Sequence, residues 1–276
     1  MLVWRKISTQ KWLDSWQERL AFLGRERLAI SQFTSARKVR LEIFDVTANE
    51  SALLLRCFGG EVRDLNHSTA DWVRSVVSRK PISIRGRLRI VNDEPIRGTV
   101  RDLNTIYIPA NLAFGTGEHA TTAGCLRLLI DLAPKKRDWE FLDAGTGTGI
   151  LAIAALRLGA KRALGFDFDA TAIRVAKTNA HLNKANGLKL FRADVLKYTP
   201  EGSFDLAAAN LYSELFRKAA ARLWPAIKPE GRLIISGLMR DQIEATSEKI
   251  LDLGGQIEMT RTRGKWVTMV AHRTEI

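Results

Sequence analysis

The chain has 276 residues, of which 46% are hydrophobic and 26% charged, the composition of a globular protein with a packed core. It contains no run of the roughly 18–20 apolar residues that a membrane span requires, and its start, MLVWRKISTQKW, lacks the apolar core of a secretory signal. The formal net charge of +13 is typical of proteins that contact nucleic acid or ribonucleoprotein, although a uniformly basic surface explains it equally well.

Residues 1–66 show the element order strand, helix, strand, strand, helix, strand. The predicted strands are residues 3–7, 27–33, 38–45 and 61–65, and the predicted helices are residues 10–24 and 49–58. The first helix ends at Gly24 and has one apolar face, which carries Trp12, Leu13, Trp16, Leu20 and Leu23. Since this order is that of the ferredoxin-like motif, we expect residues 1–66 to form a small α+β ferredoxin-like domain.

Residues 67–106 have the character of a linker, with one short helix at 70–78 and one strand at 83–91. From residue 107 to residue 276, apolar stretches of strand length alternate with helical stretches. The predicted strands are residues 140–144, 163–167, 188–193, 204–211 and 231–236, followed by a hairpin of residues 256–263 and 266–272. The predicted helices are residues 149–158, 170–182, 213–227 and 241–253. We therefore predict an α/β, Rossmann-like domain with a mostly parallel seven-stranded sheet covered on both faces.

A glycine-rich turn joins the first of these strands to the first helix in FLDAGTGTGI, residues 141–150. Gly145, Gly147 and Gly149 let the backbone approach a ligand closely, and the helix N-terminus offers unpaired N–H groups to an anionic group such as a carboxylate. Dinucleotide enzymes use a similar turn, but their G-x-G-x-x-G spacing requires a third glycine where this chain has Ile150. The spacing therefore disfavours a nicotinamide enzyme.

Two aspartates follow the next two strands. Asp167 lies 22 residues after Gly145 and can accept both hydroxyls of a ribose, whereas the neighbouring Asp169 is better placed to cap the following helix. Asp194, in FRADV, either accepts an exocyclic base amine or caps its own loop. Because ligands bind beyond the carboxyl ends of strands in open α/β sheets, we expect these side chains to lie in one crevice.

Two further segments complete the candidate site. NLAFGTGEHATT, residues 111–122, carries a loop with two glycines and then Thr122 at the start of a helix. Asn210 ends the fourth strand, in NLYS, where it is either a functional amide or a turn-forming residue. Cys57 and Cys125 are the only cysteines and have no metal-ligand spacing around them, so we expect two buried thiols in a reducing cytoplasm.

Four segments together resemble a known family: FGTGEHATT at 114–122, DAGTGTGILAIAALRLGAKRALGFDFD at 143–169, AANLYSEL at 208–215 and GKWV at 264–267. They are similar to the bacterial lysine methyltransferases of large-subunit ribosomal protein 11, over residues 107–273. The resemblance implies a class I methyltransferase domain preceded by a ferredoxin-like substrate-recognition domain, with S-adenosylmethionine as cofactor. It implies cofactor-binding roles for Thr122, Gly145, Asp167 and Asn210, and places Phe114 in a loop that closes over the cofactor.

Asn210 is also the expected catalytic residue. Methyl transfer from a sulfonium is an in-line displacement that needs no metal, so alignment carries much of the catalysis. A lysine amine must be neutral to attack, and its deprotonation at pH 7 costs about 4–5 kcal/mol. A dry pocket lowers that cost, and the Asn210 carbonyl can aim the amine by accepting a hydrogen bond. His119 is the nearest candidate base, although a structural role suits it better.

The acceptor is predicted to be an aliphatic amine, because Leu211-Tyr212 follows Asn210 where enzymes that methylate flat amides or base amines have Pro-Pro-aromatic. The expected substrate is the lysine or N-terminal amine of ribosomal protein 11, with ribosomal RNA a further contact through the basic surface. A methyltransferase acting on another protein or on RNA, and a cofactor-binding module without catalysis, remain alternatives.

Overall fold

The structure, a computed structural model, describes residues 2–10, 16, 20, 23, 27–32, 38–64, 81–92, 102, 104–109, 117, 119–135 and 138–274. The chain divides into two compact units, residues 1–77 and residues 78–276. Among the described helices, none is both long enough and apolar enough to cross a bilayer.

The first unit is built on one antiparallel sheet. Its elements are β1 (Leu2–Thr9), β2 (Leu28–Gln32), β3 (Lys38–Phe44), α1 (Ala48–Phe58) and β4 (Glu61–Asp64), and the strands lie in the order β2-β3-β1-β4. Helix α1 begins at a capping box, in which the Thr47 hydroxyl accepts from the Glu50 N–H at 3.2 Å and the Glu50 carboxylate accepts from the Thr47 N–H at 2.8 Å. This reciprocal cap fixes where the chain leaves β3 and enters the helix.

One hydrophobic cluster forms the core of this unit, and its fully buried members include Trp4, Leu41, Ile43 and Leu54. Of the predicted helix 10–24, the residues Trp16, Leu20 and Leu23 are described and buried in the same cluster. Apart from Gln10, the rest of that helix, including Trp12, Leu13 and Gly24, lies outside the described residues, as do the predicted helix 70–78 and the loop of residues 111–116.

The second unit contains the predicted seven-stranded sheet. Its strands are β8 (Glu140–Ala144), β9 (Arg162–Asp167), β10 (Leu188–Arg192), β11 (Phe204–Asn210), β12 (Ile227–Met239), β13 (Gly255–Arg263) and β14 (Trp266–Arg273). Its helices are α2 (Ala120–Leu132), α3 (Ile150–Arg157), α4 (Ala170–Leu182), α5 (Ser213–Leu223) and α6 (Ile243–Asp252). The strand order is β10-β9-β8-β11-β12-β14-β13, parallel from β10 to β12 and antiparallel at β14 and β13. The expectation of a mostly parallel α/β sheet is confirmed.

Helices cover this sheet on both faces. Neighbouring residues of a strand point to opposite faces, so each packs against a different set of helices. Phe141 packs in a cluster with α2 and α3, whereas Leu142 packs in a second cluster with α5 and α6. Both side chains are buried, so the central strand β8 packs apolar residues on both faces. Polar groups therefore gather at the carboxyl ends of the parallel strands. We call this side of the sheet its carboxyl edge.

A separate small sheet within the second unit consists of β5 (Ile82–Ile84), β6 (Leu88–Val91) and β7 (Thr105–Tyr107). The prediction of one continuous strand at 83–91 is wrong. Arg85 and Gly86 have φ angles of 54° and 65°, and two consecutive residues with positive φ make the tight turn of a hairpin. Strand β7 was not predicted.

Two other predictions need correction. The predicted helix 213–227 stops at Leu223, because Pro225 cannot continue it, and a 3₁₀ turn at Trp224–Ala226 leads directly into β12 at Ile227. Cys125 is buried as expected, but Cys57 is exposed. Phe58 packs on the core of the first unit, four residues after the buried Leu54, and this leaves Cys57 on the outer side of α1.

Candidate functional site

The glycine-rich turn between β8 and α3 has the backbone conformation that its sequence predicts. Gly145, Gly147 and Gly149 have φ angles of 73°, 53° and 80°, in the left-handed region that side chains disfavour. A Cβ on Gly145 would also lie 2.5 Å from the Leu211 side chain. Gly149 is the N-cap of α3 and has no side chain to satisfy the first N–H groups of the helix. The N–H groups of the three glycines themselves donate within the protein, to the Phe166 carbonyl, the Asp167 carboxylate and the Thr146 carbonyl. The donors left for a ligand at this point are therefore those at the N-terminus of α3.

Asp167 ties this turn to the end of β9. Its side chain accepts two backbone hydrogen bonds, from the Gly147 N–H at 2.9 Å and from the Asp169 N–H at 3.0 Å. The carboxylate is only half-buried and keeps acceptor capacity beyond these two bonds. Asp169 caps α4 by accepting from the Thr171 N–H at 2.7 Å, as predicted.

Asp194 caps its own loop, in agreement with the simpler of its two interpretations. Its carboxylate accepts from the Leu196 N–H at 2.9 Å, and its carbonyl accepts from the Lys197 and Tyr198 N–H groups. The side chain is half-buried and lies two residues after Arg192, which pairs with Asp167 in the sheet. Its position at this edge leaves a contact with a ligand available as well.

Asn210 is the last residue of β11 and is half-buried. Within the described part of the chain, the structure records no hydrogen bond to its side-chain amide. The backbone around it is fixed, because the Leu211 N–H donates to the Ser236 carbonyl at 3.0 Å. A bulge in β12 at Gly237, with φ of 89°, brings the backbone of β12 very close to Leu211, the residue after β11. A Cβ on Gly237 would overlap the Leu211 carbonyl oxygen. A rigid strand end thus presents an amide with open hydrogen-bonding capacity.

Strand register lines these positions up. Ala144 pairs with Phe166 on one side and with Ala209 on the other, so Gly145, Asp167 and Asn210 are the next residues along three adjacent parallel strands. Sequence positions as far apart as 145 and 210 therefore meet at one edge of the sheet.

The start of α2 adds a buried hydroxyl. Thr122 is 1% exposed, and its Oγ1 has no hydrogen-bond partner among the described residues. His119 is the N-cap of this helix, with its Nδ1 2.7 Å from the Thr121 hydroxyl and its ring edge-on to Trp266. Burial and the nearby Lys265 lower the pKa of His119. These contacts support the structural role for His119. Phe114 lies outside the described residues.

A sequence profile of the family described as Ribosomal protein L11 methyltransferase (PrmA) matches residues 5–274. The chain belongs to the ribosomal protein L11 methyltransferase family. It is 32% identical over 240 residues to the ribosomal protein L11 methyltransferase of Caulobacter sp. strain K31, covering 85% of this chain and 83% of that protein. It is 38% identical over 205 residues to the protein of the same name from Neisseria meningitidis serogroup C, covering 73% of this chain and 65% of that protein.

A solved structure is similar as well. The crystal structure of the ribosomal protein L11 methylase from Lactobacillus delbrueckii subsp. bulgaricus superposes with a TM-score of 0.63 at 30% identity, covering 71% of this chain and all (100%) of that chain. The family assignment makes this chain a methyltransferase whose cofactor is S-adenosylmethionine. The predicted family, reaction type and cofactor are confirmed.

The residues at the sheet edge fit this cofactor. Unpartnered buried oxygens at Thr122 Oγ1 and Asp143 Oδ1, and a turn whose glycines admit no side chain, are what a closely held polar ligand requires. Buried polar atoms without partners are uncommon in native proteins and are costly unless something satisfies them.

Asp143 is a candidate that the sequence prediction missed, although it opens the DAGTGTG motif. It is 1% exposed, and its Oδ2 accepts from the Thr146 hydroxyl at 2.7 Å and from the Ala152 N–H at 3.3 Å. Burial raises the pKa of this carboxyl to about 7, against the opposing effect of the Thr146 hydrogen bond and with a further contribution from Asp167. An acidic residue among Phe141, Leu142 and Ala144, at the buried end of β8, was the available signal.

Replacing Asp143 with asparagine is expected to flatten the pH dependence of stability. Because the folded-state pKa of Asp143 lies above that of an unfolded aspartate, the folded protein holds more protons between about pH 4 and pH 7. Its stability therefore falls as pH rises through this window. From pH 5 to pH 8 the wild type should lose about 2–3 kcal/mol more free energy of unfolding than Asp143→Asn.

Urea unfolding at both pH values measures this difference. Asp241→Asn, at an exposed position in the 3₁₀ turn Arg240–Gln242, is the matched control and should follow the wild type. Parallel pH slopes for wild type and Asp143→Asn would show that the buried carboxyl does not titrate in this range.

Proposed function

We propose that this chain transfers methyl groups from S-adenosylmethionine to amino groups of ribosomal protein L11, at lysine side chains, the N-terminal amine or both. The observation that carries the proposal is the row formed by Gly145, Asp167 and Asn210 at one sheet edge, in a chain whose family match extends over residues 5–274. The two cysteines are free thiols, which supports action in the reducing cytoplasm.

The cofactor-binding residues in this proposal are Thr122, Gly145, Gly147, Asp167, Asp194 and Asn210, with Phe114 in the closing loop. The N–H groups at the N-terminus of α3, which follows the glycine turn, bind the carboxylate end, since a helix N-terminus favours an anion. Each carboxylate oxygen of Asp167 accepts one backbone hydrogen bond and can accept another. In this proposal the further bonds come from the ribose hydroxyls. Bound there, the cofactor supplies a sulfonium methyl, an electrophile that needs only an aligned nucleophile.

Asn210 provides that alignment. Its side-chain amide has no recorded partner among the described residues, so its carbonyl oxygen is available to accept a hydrogen bond from the substrate amine. An amine donating one N–H to a fixed acceptor has its lone pair oriented, which lowers the entropic part of the barrier.

Residues 1–66 serve in this proposal as a ferredoxin-like substrate-recognition domain, joined through residues 67–106 to the catalytic domain of residues 107–276. Its support is the strand order β2-β3-β1-β4, antiparallel throughout, with α1 between β3 and β4. This is the order that the ferredoxin-like motif produces when two split β-α-β units pair.

A second candidate acceptor is RNA, favoured by the net charge of +13, and another protein lysine is a third. Incorporation of labelled methyl groups from S-adenosylmethionine into purified ribosomal protein L11, naked ribosomal RNA and an unrelated lysine-rich protein separates the three. We expect label in L11 alone. Label confined to RNA would overturn the proposed substrate and keep the cofactor assignment.

Asp167→Ala is expected to raise the dissociation constant for S-adenosylmethionine about 5–150-fold, equivalent to about 1–3 kcal/mol for lost hydrogen bonds to a charged acceptor. Calorimetric titration measures it. Asp169→Ala, two residues along, removes a helix cap and is the control: it should lower stability but leave cofactor affinity nearly unchanged. Unaltered affinity in Asp167→Ala would remove Asp167 from the cofactor site.

A further inference from the structure

An arginine-lined cavity lies in the second unit beside the outer strands of the sheet. It has a volume of about 320 Å³ and is lined by Arg85 in the β5–β6 turn, Arg127 on α2, Arg261 and Arg263 on β13, and Trp266 on β14. Three separate parts of the chain therefore direct cationic side chains toward one space. We call it the arginine cavity.

The charges around the arginine cavity are mostly uncompensated. Arg85 pairs with Asp131 at 2.8 Å, whereas the structure records no carboxylate partner for Arg127, Arg261 or Arg263 among the described residues. Arg127 is half-buried, and its pKa is lowered by burial and by the neighbouring Arg263 and Arg85. Like charges brought together at a partly desolvated site destabilise the fold unless an anionic ligand offsets them.

The lining indicates which anion fits. Planar guanidinium groups bind phosphate oxygens through paired hydrogen bonds, and an aromatic ring beside them offers a face or edge to an unstacked base. Trp266 is half-buried in this wall, with the Lys265 ammonium 5.3 Å from the ring centroid. An acidic peptide would use the arginines but would gain nothing specific from the indole. The volume exceeds what one phosphate group needs.

Strand register relates the cavity to the proposed catalytic amide. Asn210 pairs with Ser236, Ser236 with Thr268, and Thr268 with Arg261, so the four residues form one row across β11, β12, β14 and β13. Three inter-strand steps of about 4.8 Å put Arg261 roughly 14 Å from Asn210 at the same edge of the sheet. None of the described positions proposed for the cofactor lines the cavity, although Ala120 and Gly124 of its lining flank Thr122. The cavity is within reach of a ligand extended along this edge.

We propose that the arginine cavity binds single-stranded nucleic acid, with its arginines on the phosphodiester backbone and Trp266 against a base. This goes beyond methyl transfer, because such binding requires neither cofactor nor acceptor. A nucleic-acid contact three strands away from Asn210 would hold a ribonucleoprotein in place while one of its amines reaches Asn210.

Fluorescence anisotropy of a labelled uridine dodecamer with the full chain tests the proposal over 50–200 mM salt. We expect the double variant Arg261→Gln/Arg263→Gln to bind at least tenfold more weakly at the lower salt concentration. Its slope of log affinity against log salt should be shallower by about 1.4, since each phosphate contact on a single strand contributes about 0.7. Both positions are exposed, so the variant should fold normally.

The matched control is Arg217→Gln/Arg222→Gln, which removes the same charge from exposed positions of α5 on the opposite face of the sheet. This control should bind within about twofold of the wild type. A separate variant, Arg127→Gln, should weaken binding while leaving the thermal unfolding midpoint unchanged or higher, because it relieves repulsion from Arg85 and Arg263.

Three outcomes would overturn the proposal. They are no binding of the dodecamer by the wild type, equal loss in the two double variants, and equally tight binding of a glutamate dodecapeptide. The last would reassign the cavity to acidic proteins. Because none of these measurements involves methyl transfer, failure here is distinguishable from failure of the proposed L11 activity.

Discussion

Replacing Asn210 with alanine is expected to lower kcat by about 10²–10³-fold, the range found when one preorganised hydrogen-bonding group is removed from an active site. Cofactor affinity should change far less. The reason is that the proposed partner of the Asn210 carbonyl is the reacting amine, so its loss is felt mainly when the nucleophile must be aligned. The neighbouring backbone, held by the Leu211–Ser236 hydrogen bond and the bulge at Gly237, should persist in the variant.

Steady-state kinetics with L11 and calorimetry with S-adenosylmethionine separate the two effects. Asn186→Ala, at an exposed loop position just before β10, is the matched control and should behave as the wild type. If Asn210→Ala lost turnover and cofactor affinity in equal measure, Asn210 would only hold the cofactor, and the aligning role would be refuted.

Much of the candidate cofactor site was predictable, because the residues that shape it do so through their own local sequence. The glycines at 145, 147 and 149 specify a turn through their own φ angles, and apolar runs of strand length specify which residues follow each strand end. Parallel pairing then aligns Gly145, Asp167 and Asn210 without any further information.

Features that depend on distant contacts were not predictable in this way. Strand β7 has only three residues and is stabilised by pairing with β6 and by burial of Ile106, neither of which leaves a periodic pattern. Asp143 Oδ1 likewise has no hydrogen-bond partner among the described residues, because the side chain is buried beneath the start of α3. This burial depends on tertiary packing, which the sequence around Asp143 does not reveal.

The arginine cavity illustrates the same limit. The alternation Arg261-x-Arg263-x-Lys265 is visible as a charge pattern, but a solvated strand face explains it equally well. Only the fold brings Arg85 and Arg127, from positions far away in the chain, next to these side chains. Net charge therefore suggested an anionic partner, while the location of its site required the tertiary structure.

A chain truncated to begin at Ser68 is expected to bind S-adenosylmethionine nearly normally while losing methylation of L11 by more than about 10³-fold, since docking energy that positions the lysine is removed. The two units have separate hydrophobic clusters: the described core of the first comes from residues between Leu2 and Val62, and both clusters of the second come from residues 82 onward. The truncated chain keeps the second unit, residues 78–276, whole. Every position proposed for the cofactor lies within it.

Calorimetry with the cofactor and methylation of L11 are measured on both chains, with a lysine-containing tripeptide as control acceptor. The tripeptide has no surface for a docking domain to recognise, so its slow methylation should be the same for both chains if residues 1–66 act only in recognition. Full activity of the truncated chain on L11 would refute the recognition role. Loss of cofactor binding together with L11 methylation would mean that the two units fold and act as one cooperative domain, because the second would then depend on the first for its own structure.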